Sequence, residues 1–197
     1  AEAKRRGIPF VYYLIDVLYT LIPERVFQGF GKLLMRKTIE NSSMVLTINR
    51  KLDQLAVELG AERTAVIDAG IDLSEFDPDL DGSRVRERYG VEDSDILLFF
   101  MGFLYTFSGL RELAAAMAEK REEYPNVKLM VVGDGDAYAD LERIRDENNL
   151  ENLILTGRQP YTEIPCFVAA SDICILPAYI DEEIMQDIVP IKLYEYL

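Results

Sequence analysis

The chain has 197 residues, of which 49% are hydrophobic, so it can form one large domain or parts of two. Its formal net charge of −14 argues against a nucleic-acid partner, and the absence of histidine excludes His-based catalysis and His-ligated metal sites. The two cysteines, Cys166 and Cys174, have neither the spacing of a metal site nor a disulfide framework, which indicates a reducing compartment.

The first predicted strand is the apolar run Ile8–Ile15, which follows the end of a helix at Ala1–Arg6. Its β-branched and aromatic residues favour a strand that is buried on both faces of a parallel sheet. Continued to Ile22, the apolar run has fifteen residues, which is short of the roughly 20 that span a bilayer.

A helix is predicted next, from Pro23 to about Glu40. Its apolar positions recur at helical spacing: Val26, Phe27, Phe30, Leu33 and Leu34. Basic residues lie between them, and residues 1–51 carry a net charge of +5, against −19 for the remainder. The helix therefore either packs on a sheet as an ordinary domain helix or lies on an anionic membrane surface.

Three further elements precede a turn-rich link. They are a strand at Met44–Ile48, a helix that Asn49 caps and Gly60 ends, and a strand at Ala65–Asp68. The acidic stretch Asp77–Gly82 indicates a surface linker. We therefore predict a boundary after residue 76, which gives two domains at residues 1–76 and 77–197.

The second half of the chain repeats one unit, a strand followed by a helix. Strands are predicted at residues 95–101, 127–132, 153–156 and 172–176. Helices are predicted at residues 83–89, 110–123, 137–148 and 161–170, with Ser83 as the cap of the first. This alternation predicts a parallel α/β sheet, in which ligands bind beyond the carboxyl ends of the strands. Several of those ends carry glycine, which permits close approach of a ligand: Gly102, Gly133 with Gly135, and Gly157.

The last predicted helix begins at Pro190, which suits a first helical position because its missing N–H is not needed there. Lys192 and Glu195 share one face of this helix, and Asp187 precedes its start. A helix start with a lysine suits a diphosphate, and a carboxylate one turn later suits a diol such as a ribose. The other interpretation is an ordinary amphipathic helix with a solvated Lys–Glu pair. Because this helix has no stop signal before Leu197, we predict that the chain is a fragment of a longer protein.

Six short motifs, taken in order, resemble the family-4 retaining glycosyltransferases of the GT-B fold. They are Val66–Asp72 (VIDAGID), Val131–Gly135 (VVGDG), Leu155–Arg158 (LTGR), Ala169–Asp172 (AASD), Ile175–Pro177 (ILP) and Pro190–Tyr196 (PIKLYEY). The resemblance implies two Rossmann-like domains, each a parallel sheet with helices on both faces. Residues 1–76 would be the C-terminal part of the acceptor-side domain with the hinge, and residues 77–197 most of the domain that binds the nucleotide-sugar donor.

The resemblance also implies roles for individual residues. Glu195 would hold the ribose hydroxyls of the donor, and Asp187 would be the catalytic carboxylate near the sugar or the diphosphate. The backbone near Gly157 and Arg158 would border the base. The other residues expected to bind the donor are Gly102, Ser108, Gly133, Gly135 and Lys192.

Four positions depart from the family pattern. Asp187 replaces the usual Glu and is one methylene shorter. Phe103 stands where an Arg usually follows the glycine, and Ser108 stands where a Lys usually precedes a second glycine. Where the family often has a His–Asp pair, Asp16 follows an isoleucine, which leaves Asp16 as the second catalytic candidate. A leaving diphosphate develops negative charge that cations or N–H groups must stabilise, and Lys192, Arg158 and helix N-termini remain for this role.

The implied reaction is transfer of a sugar, of the hexosyltransferase type, from a nucleotide-sugar to a glycan or lipid-linked acceptor with retained anomeric configuration. No cofactor other than the donor and no metal ion is expected. The expected location is cytoplasmic, with peripheral contact to the cytoplasmic face of a membrane. Residues 1–197 alone are expected to be inactive, because a transferase must orient two substrates and the acceptor side is mostly missing.

Two other functions stay open from the sequence. The missing cations favour a non-catalytic GT-B-like module that binds a nucleotide-sugar or a partner protein. A dinucleotide-dependent oxidoreductase is less favoured, because the Gly133-Asp-Gly135 segment has Tyr138 where the third glycine of the dinucleotide-binding fingerprint would stand.

Overall fold

The computed structural model describes residues 2–22, 24–68, 70–177 and 191–197. It divides into two compact units. The first comprises the described residues up to Gly70, and the second comprises residues 71–177 together with residues 191–197. Each unit has its own parallel sheet and its own buried core.

The first unit contains a three-stranded parallel sheet of order β1-β2-β3 among its described residues. Its strands are β1 (Val11–Leu14), β2 (Met44–Thr47) and β3 (Thr64–Val66). Its helices are α1 (Glu2–Arg5), α2 (Arg25–Glu40) and α3 (Arg50–Glu58), and Leu18–Leu21 form a 3₁₀ helix. The cap predicted for α3 is confirmed, since the side-chain oxygen of Asn49 accepts a hydrogen bond from the backbone N–H of Leu52 at 2.8 Å.

The prediction that the first strand is buried on both faces is wrong. Strand β1 covers Val11–Leu14 instead of Ile8–Ile15 and lies at the edge of the sheet as described, next to β2. Burial alternates along it, so that Leu14 is buried while Val11 and Tyr13 are exposed. An apolar run therefore did not distinguish this edge strand from a central one.

The residues of helix α2 that face the core are not the apolar residues predicted to do so. Met35 and Ile39 are buried in the core of the first unit. The predicted positions are exposed instead: Val26, Phe27, Phe30, Leu33 and Leu34. Packing of these side chains on a sheet is thus not seen in the described part of the chain, and the membrane interpretation stays a prediction. No helix in the described ranges combines the length and the apolar character that crossing a bilayer requires.

The second unit contains a parallel sheet of order β6-β5-β4-β7, and the prediction of a parallel α/β sheet is confirmed. Its strands are β4 (Ile96–Met101), β5 (Val127–Val132), β6 (Leu153–Gly157) and β7 (Ile173–Cys174). Its helices are α4 (Ser83–Arg88), α5 (Leu110–Lys120), α6 (Tyr138–Asn148), α7 (Ile164–Ala170) and α8 (Lys192–Glu195), and Tyr161–Glu163 form a 3₁₀ helix.

Helices cover both faces of this sheet. Successive strand residues point to opposite sides, so each strand contributes to the core on either face. On one face Phe99 of β4 packs in a core with Val85 of α4 and Phe167 of α7. On the other face Phe100 packs in a core with Leu110 of α5 and Leu141 of α6. The helices on both faces fix the carboxyl ends of the central strands at one edge of the sheet.

The division between the units falls between Gly70 and Ile71, six residues before the predicted boundary after residue 76. Phe76 is buried in a core of the second unit, so the segment before the predicted boundary packs with that unit. The prediction that Ser83 caps the first helix of this unit is wrong. Ser83 is the first residue of α4, and its N–H and hydroxyl both donate to the carboxylate of Asp81.

Candidate functional site

The carboxyl ends of β4, β5 and β6 form a row of glycines, which we call the rim: Gly102, Gly133 and Gly157. The backbone N–H of Gly102 donates to the carbonyl oxygen of Val132 at 2.9 Å, and that of Gly133 donates to the carbonyl of Gly157 at 2.9 Å. The sheet hydrogen bonding thus continues to the rim and holds the three glycines side by side.

Gly133 of the rim and the nearby Gly135 are both required by close backbone packing. A Cβ atom on Gly133 would lie 1.9 Å from the carbonyl oxygen of Gly102, and the φ of Gly133 is +141°. A Cβ atom on Gly135 would lie 2.6 Å from the backbone nitrogen of Leu104. The rim therefore presents backbone atoms, which a ligand can approach closely.

The loop after β4 carries three aromatic rings, and one of them, Phe103, stands where the family resemblance expects an Arg. The ring centroids of Phe103 and Tyr105 are 4.6 Å apart, and those of Tyr105 and Phe107 are 4.8 Å apart and nearly parallel. Leu104 between them is buried, and its backbone N–H and carbonyl are hydrogen-bonded to Asp134 and Ala137. The loop is thus fixed to the end of β5 while its aromatic side chains face outward or are half-buried.

Ser108 ends this loop immediately before Gly109, the N-cap residue of α5. Its hydroxyl oxygen is buried and has no hydrogen-bond partner among the described residues. The first N–H groups of an α-helix also lack partners within the helix. The Ser108 hydroxyl and the free N–H groups at the start of this 11-residue helix can therefore both donate hydrogen bonds to an anion.

Lys192 begins α8, and its ammonium nitrogen lies 4.3 Å from the centroid of the Phe100 ring. The same nitrogen lies 2.6 Å from the position that a Cβ atom on Gly102 would take. Burial disfavours the charged form and lowers the pKa of Lys192 to about 8. The lysine is therefore a partly buried cation directly beside the rim.

Glu195, one turn later, is only 8% exposed. Its carboxylate oxygen Oε1 accepts a hydrogen bond from the hydroxyl of Tyr161 at 2.7 Å. This bond raises the pKa of Tyr161 to about 12, because the carboxylate stabilises the protonated phenol. The interpretation of Lys192 and Glu195 as a solvated surface pair is wrong, since neither side chain is freely solvated.

Tyr196 connects α8 to the end of β4. The backbone N–H of Met101 donates to its hydroxyl oxygen at 3.0 Å, and its ring meets that of Phe99 edge-on at a centroid distance of 5.9 Å. Burial raises the pKa of the Tyr196 phenol. This contact holds α8, and with it Lys192 and Glu195, against the central strand.

Arg158 follows Gly157 and is exposed. Its Nε atom lies 3.5 Å from Oδ2 of Asp134, which is also exposed. An exposed pair of this kind contributes about 0–1 kcal/mol to stability, so Arg158 can exchange this partner for a ligand at little cost.

All eight predicted donor-binding residues lie in the second unit: Gly102, Ser108, Gly133, Gly135, Gly157, Arg158, Lys192 and Glu195. Their roles stay predictions. Asp16 lies in the first unit, half-buried, two residues after β1. Asp187 and the predicted helix start at Pro190 lie outside the described residues.

Sequence reasoning missed three residues of this site. Asp134 stands between two predicted glycines, so the motif could have indicated it. Tyr161 and Tyr196 contact their partners only through the fold, because they lie 34 and 95 residues from Glu195 and Met101. Within the described ranges no group of three or more Cys, Asp or Glu side chains is arranged to hold a metal ion, and the expectation that no metal is needed stays a prediction.

Comparison with known proteins identifies relatives for most of the chain. A family model described as "Glycosyl transferases group 1" matches residues 82–197. The alpha-D-kanosaminyltransferase of Streptomyces kanamyceticus is 26% identical over 187 residues, which are 89% of this chain and 48% of that protein. The putative teichuronic acid biosynthesis glycosyltransferase TuaC of Bacillus subtilis is 28% identical over 176 residues, which are 87% of this chain and 41% of that protein.

Solved structures of glycosyltransferases share the fold of this chain. HepE of Anabaena, crystallised with UDP-glucose, superimposes with a TM-score of 0.70 at 22% identity, over 89% of this chain and 48% of that one. WaaG, a glycosyltransferase involved in lipopolysaccharide biosynthesis, superimposes with a TM-score of 0.68 at 18% identity, over 94% and 53%. The chain thus spans about half the length of the proteins that it matches.

Proposed function

Because the chain belongs to the glycosyl transferases group 1 family and its sheets have the architecture of GT-B glycosyltransferases, we propose that its second unit binds the nucleoside diphosphate part of a nucleotide-sugar donor. One observation carries the proposal: a buried carboxylate, Glu195, lies one turn after a partly buried cation, Lys192, whose ammonium group lies beside Gly102 of the rim. HepE, which shares the fold, was crystallised with UDP-glucose. The likeness of the rim to a nucleotide site is thus supported by residue chemistry as well as by the fold.

In the proposed complex Glu195 accepts hydrogen bonds from the two ribose hydroxyls, because a carboxylate has about four acceptor sites and Tyr161 uses one of them. The diphosphate lies between Lys192 and the start of α5. There the hydroxyl of Ser108 and the first N–H groups of the helix donate to it. Arg158 borders the base.

The whole protein, in this proposal, is a family-4 hexosyltransferase that moves the sugar to a glycan or lipid-linked acceptor with retention. The leaving diphosphate gains negative charge in the transition state. Lys192 and the N–H groups at the start of α5 stabilise that charge, and they compensate for the cations that Phe103 and Ser108 replace. No metal takes part. Asp16 and Asp187 stay the candidates for the catalytic carboxylates.

Helix α2 supports the finer proposal that the protein acts at the cytoplasmic face of a membrane. Its first half exposes large apolar side chains, among them Val26 at 87% exposure, Phe27 and Phe30. Lys32 and Lys37 lie on the same helix. Exposed apolar and cationic side chains on one helix suit insertion into an anionic lipid surface, where a lipid-linked acceptor would be found.

A second candidate function is a module that binds the nucleotide-sugar without transferring the sugar. The exposed ring of Phe103, where the resemblance expects an Arg, favours it, because the loss of a cation at a phosphate weakens transition-state stabilisation. Release or transfer of radiolabelled sugar by the whole protein separates the two functions. Binding without release would support the module.

Calorimetry with UDP, GDP and ADP tests the donor site itself. The substitution Glu195→Ala should weaken binding of the preferred nucleotide by about 1.5–3 kcal/mol, the range for hydrogen bonds to a charged group. The matched control is Glu151→Ala, which removes an exposed carboxylate away from the rim. Equal affinities of wild type and Glu195→Ala would contradict the proposal, and so would the absence of binding by all three nucleotides.

A further inference from the structure

Tyr161 lies in the segment that connects β6 to α7, and no role was assigned to it from the sequence. It begins a 3₁₀ helix immediately after Pro160, four residues beyond Gly157 of the rim. Its hydroxyl donates a hydrogen bond of 2.7 Å to Oε1 of Glu195 on α8. The bond therefore joins the connection after β6 to the helix that carries the buried carboxylate.

The hydrogen bond restricts how the Glu195 carboxylate can turn. A glutamate side chain has a broad range of orientations at its terminal torsion, and a hydrogen bond to one oxygen selects among them. With Oε1 held by Tyr161, the remaining acceptor sites of the carboxylate have a defined direction. A diol needs such a direction, because its two hydroxyls must reach acceptor sites at the same time.

One edge of the Tyr161 ring contacts a core residue, and the rest of the side chain is open to solvent, with Tyr161 56% exposed. Its ring meets the ring of Phe76 edge-on, with centroids 6.2 Å apart, and Phe76 is buried. The phenol stays a neutral donor throughout the range in which proteins are usually assayed, because the neighbouring carboxylate raises its pKa to about 12. The hydroxyl donor thus has one ring contact with the core and a fixed protonation state.

From this geometry we propose that Tyr161 is a positioning residue for ribose recognition: it orients the Glu195 carboxylate so that the carboxylate accepts from both ribose hydroxyls of the donor nucleotide. The inference rests on the proposed function, since it assumes that Glu195 binds the ribose. Tyr161 acts on affinity through Glu195 and has no direct contact with the ribose. Its effect should therefore depend on the presence of the two hydroxyls.

The experiment compares wild type with Tyr161→Phe, which removes the hydroxyl and keeps the ring on Phe76. The probes are the tightest binder among UDP, GDP and ADP, and the 2′,3′-dideoxy form of that nucleotide. We expect wild type to lose at least about tenfold in affinity when the ribose hydroxyls are absent. Tyr161→Phe should bind the complete nucleotide about threefold to tenfold more weakly than wild type, and the dideoxy nucleotide with unchanged affinity.

The control variant is Tyr194→Phe, which removes a phenol hydroxyl from α8, the helix that carries Glu195. It should bind both nucleotides as wild type does. Thermal unfolding of each variant shows whether the fold is kept, and a purely structural role of Tyr161 would weaken binding of both nucleotides equally.

Each other outcome has a defined meaning. If wild type binds none of the nucleotides, or does not distinguish the dideoxy form, the proposed function is wrong and the inference falls with it. If wild type distinguishes them and Tyr161→Phe binds the complete nucleotide equally well, the inference alone is wrong. Tighter binding by Tyr161→Phe would also overturn the inference, because Tyr161 would then compete with the ribose for Glu195.

Discussion

The side chain of Lys192 occupies the space in front of Gly102: its ammonium nitrogen is 2.6 Å and its Cε atom 3.3 Å from the position of a Cβ atom on that glycine. The lysine can therefore lie beside the rim because position 102 has no side chain. A substitution at Gly102, which has no functional group of its own, can thus test whether Lys192 contributes to ligand binding.

Gly102→Ala should displace Lys192 and weaken binding of a nucleoside diphosphate. The φ of Gly102 is +126°, so the substitution also strains the backbone, by about 1–3 kcal/mol. Gly90→Ala is the control, because Gly90 also has a positive φ, of +65°, but its Cβ would meet open space. Isothermal titration with UDP, GDP and ADP measures the effect. In a Lys192→Met background the effect on affinity should vanish, and an undiminished loss there would refute the argument.

Binding should weaken as the pH rises, since burial lowers the pKa of Lys192 to about 8. A nucleoside diphosphate keeps its charge above a pH of about 7, because its last phosphate pKa is near 6. If only the protonated lysine attracts it, the dissociation constant rises about tenfold between pH 7 and pH 9. Lys192→Met should bind weakly with a flat pH profile. A pH profile of wild type that is equally flat would contradict the prediction.

The same pKa fixes the sign of a stability effect. The pKa of a lysine in an unfolded chain is 10.5, so between about pH 8 and that value the unfolded chain binds more protons than the folded one. The contribution of Lys192 to the free energy of unfolding therefore rises with pH across this window. Urea unfolding of wild type and Lys192→Met at both ends of the window measures it, and a contribution that falls with pH would exclude a buried ammonium.

Phe103→Arg should increase affinity for a nucleoside diphosphate by about threefold to tenfold, because a charge-assisted hydrogen bond to a phosphate becomes available. Phe103 is 43% exposed, so a longer polar side chain needs no space in the core. Phe103→Gln is the matched control, since it also removes the ring contact with Tyr105 but adds no charge. The gain should shrink at high salt, and equal affinities of the Arg and Gln variants would show that the loop lies away from the phosphates.

Two glycine-to-alanine substitutions should change stability in opposite directions. A Cβ atom on Gly82 would lie 2.3 Å from the backbone nitrogen of Ala170, so Gly82→Ala should destabilise the second unit by about 1–3 kcal/mol. Gly29 lies inside α2 with open space around a Cβ, so Gly29→Ala should stabilise that helix by about 0.5–1 kcal/mol. Hydrogen exchange followed by mass spectrometry reports on each unit separately. A neutral Gly82→Ala would mean that α4 and α7 can move apart without cost.

The membrane proposal depends on exposed rings of α2. Replacing Phe27 and Phe30 together by serine should abolish sedimentation with vesicles that contain anionic lipid, because it removes both exposed aromatic rings of the helix. Leu73→Ser is the control, since Leu73 is 74% exposed and lies in the second unit. Binding should weaken with salt. Sedimentation that survives the double substitution would leave α2 without this role.

Local signals in the sequence were sufficient for part of this structure. The cap at Asn49 depends on residues three positions apart, and the glycines of the rim follow directly on apolar strands, so short windows contained both. The buried face of α2 was not predictable in this way. Its apolar residues outnumber the positions that the sheet covers, and periodicity does not show which of them, such as Ile39 or Phe30, meets the core.

Only the site residues that lie within a short sequence motif could be predicted. Lys192 and Glu195 could be assigned because the terminal motif places them on one helix. Their burial, and the bond from Tyr161, depend on how α8 packs on β4 and on the connection after β6. Contacts between residues so far apart in the sequence are determined by the fold and cannot be predicted from the local pattern of a single sequence.

The packing of the rim limits how its specificity could be redesigned. Alanine at position 133 or 135 would collide with a neighbouring carbonyl or with the loop backbone, so random mutagenesis at these two positions should yield few folded variants. At Gly157 a Cβ would meet open space, and its φ of +68° lies in the left-handed region that Asn and Asp tolerate best among residues with side chains. A library that introduces new polar groups next to the proposed donor site would therefore start at position 157 with those two residues.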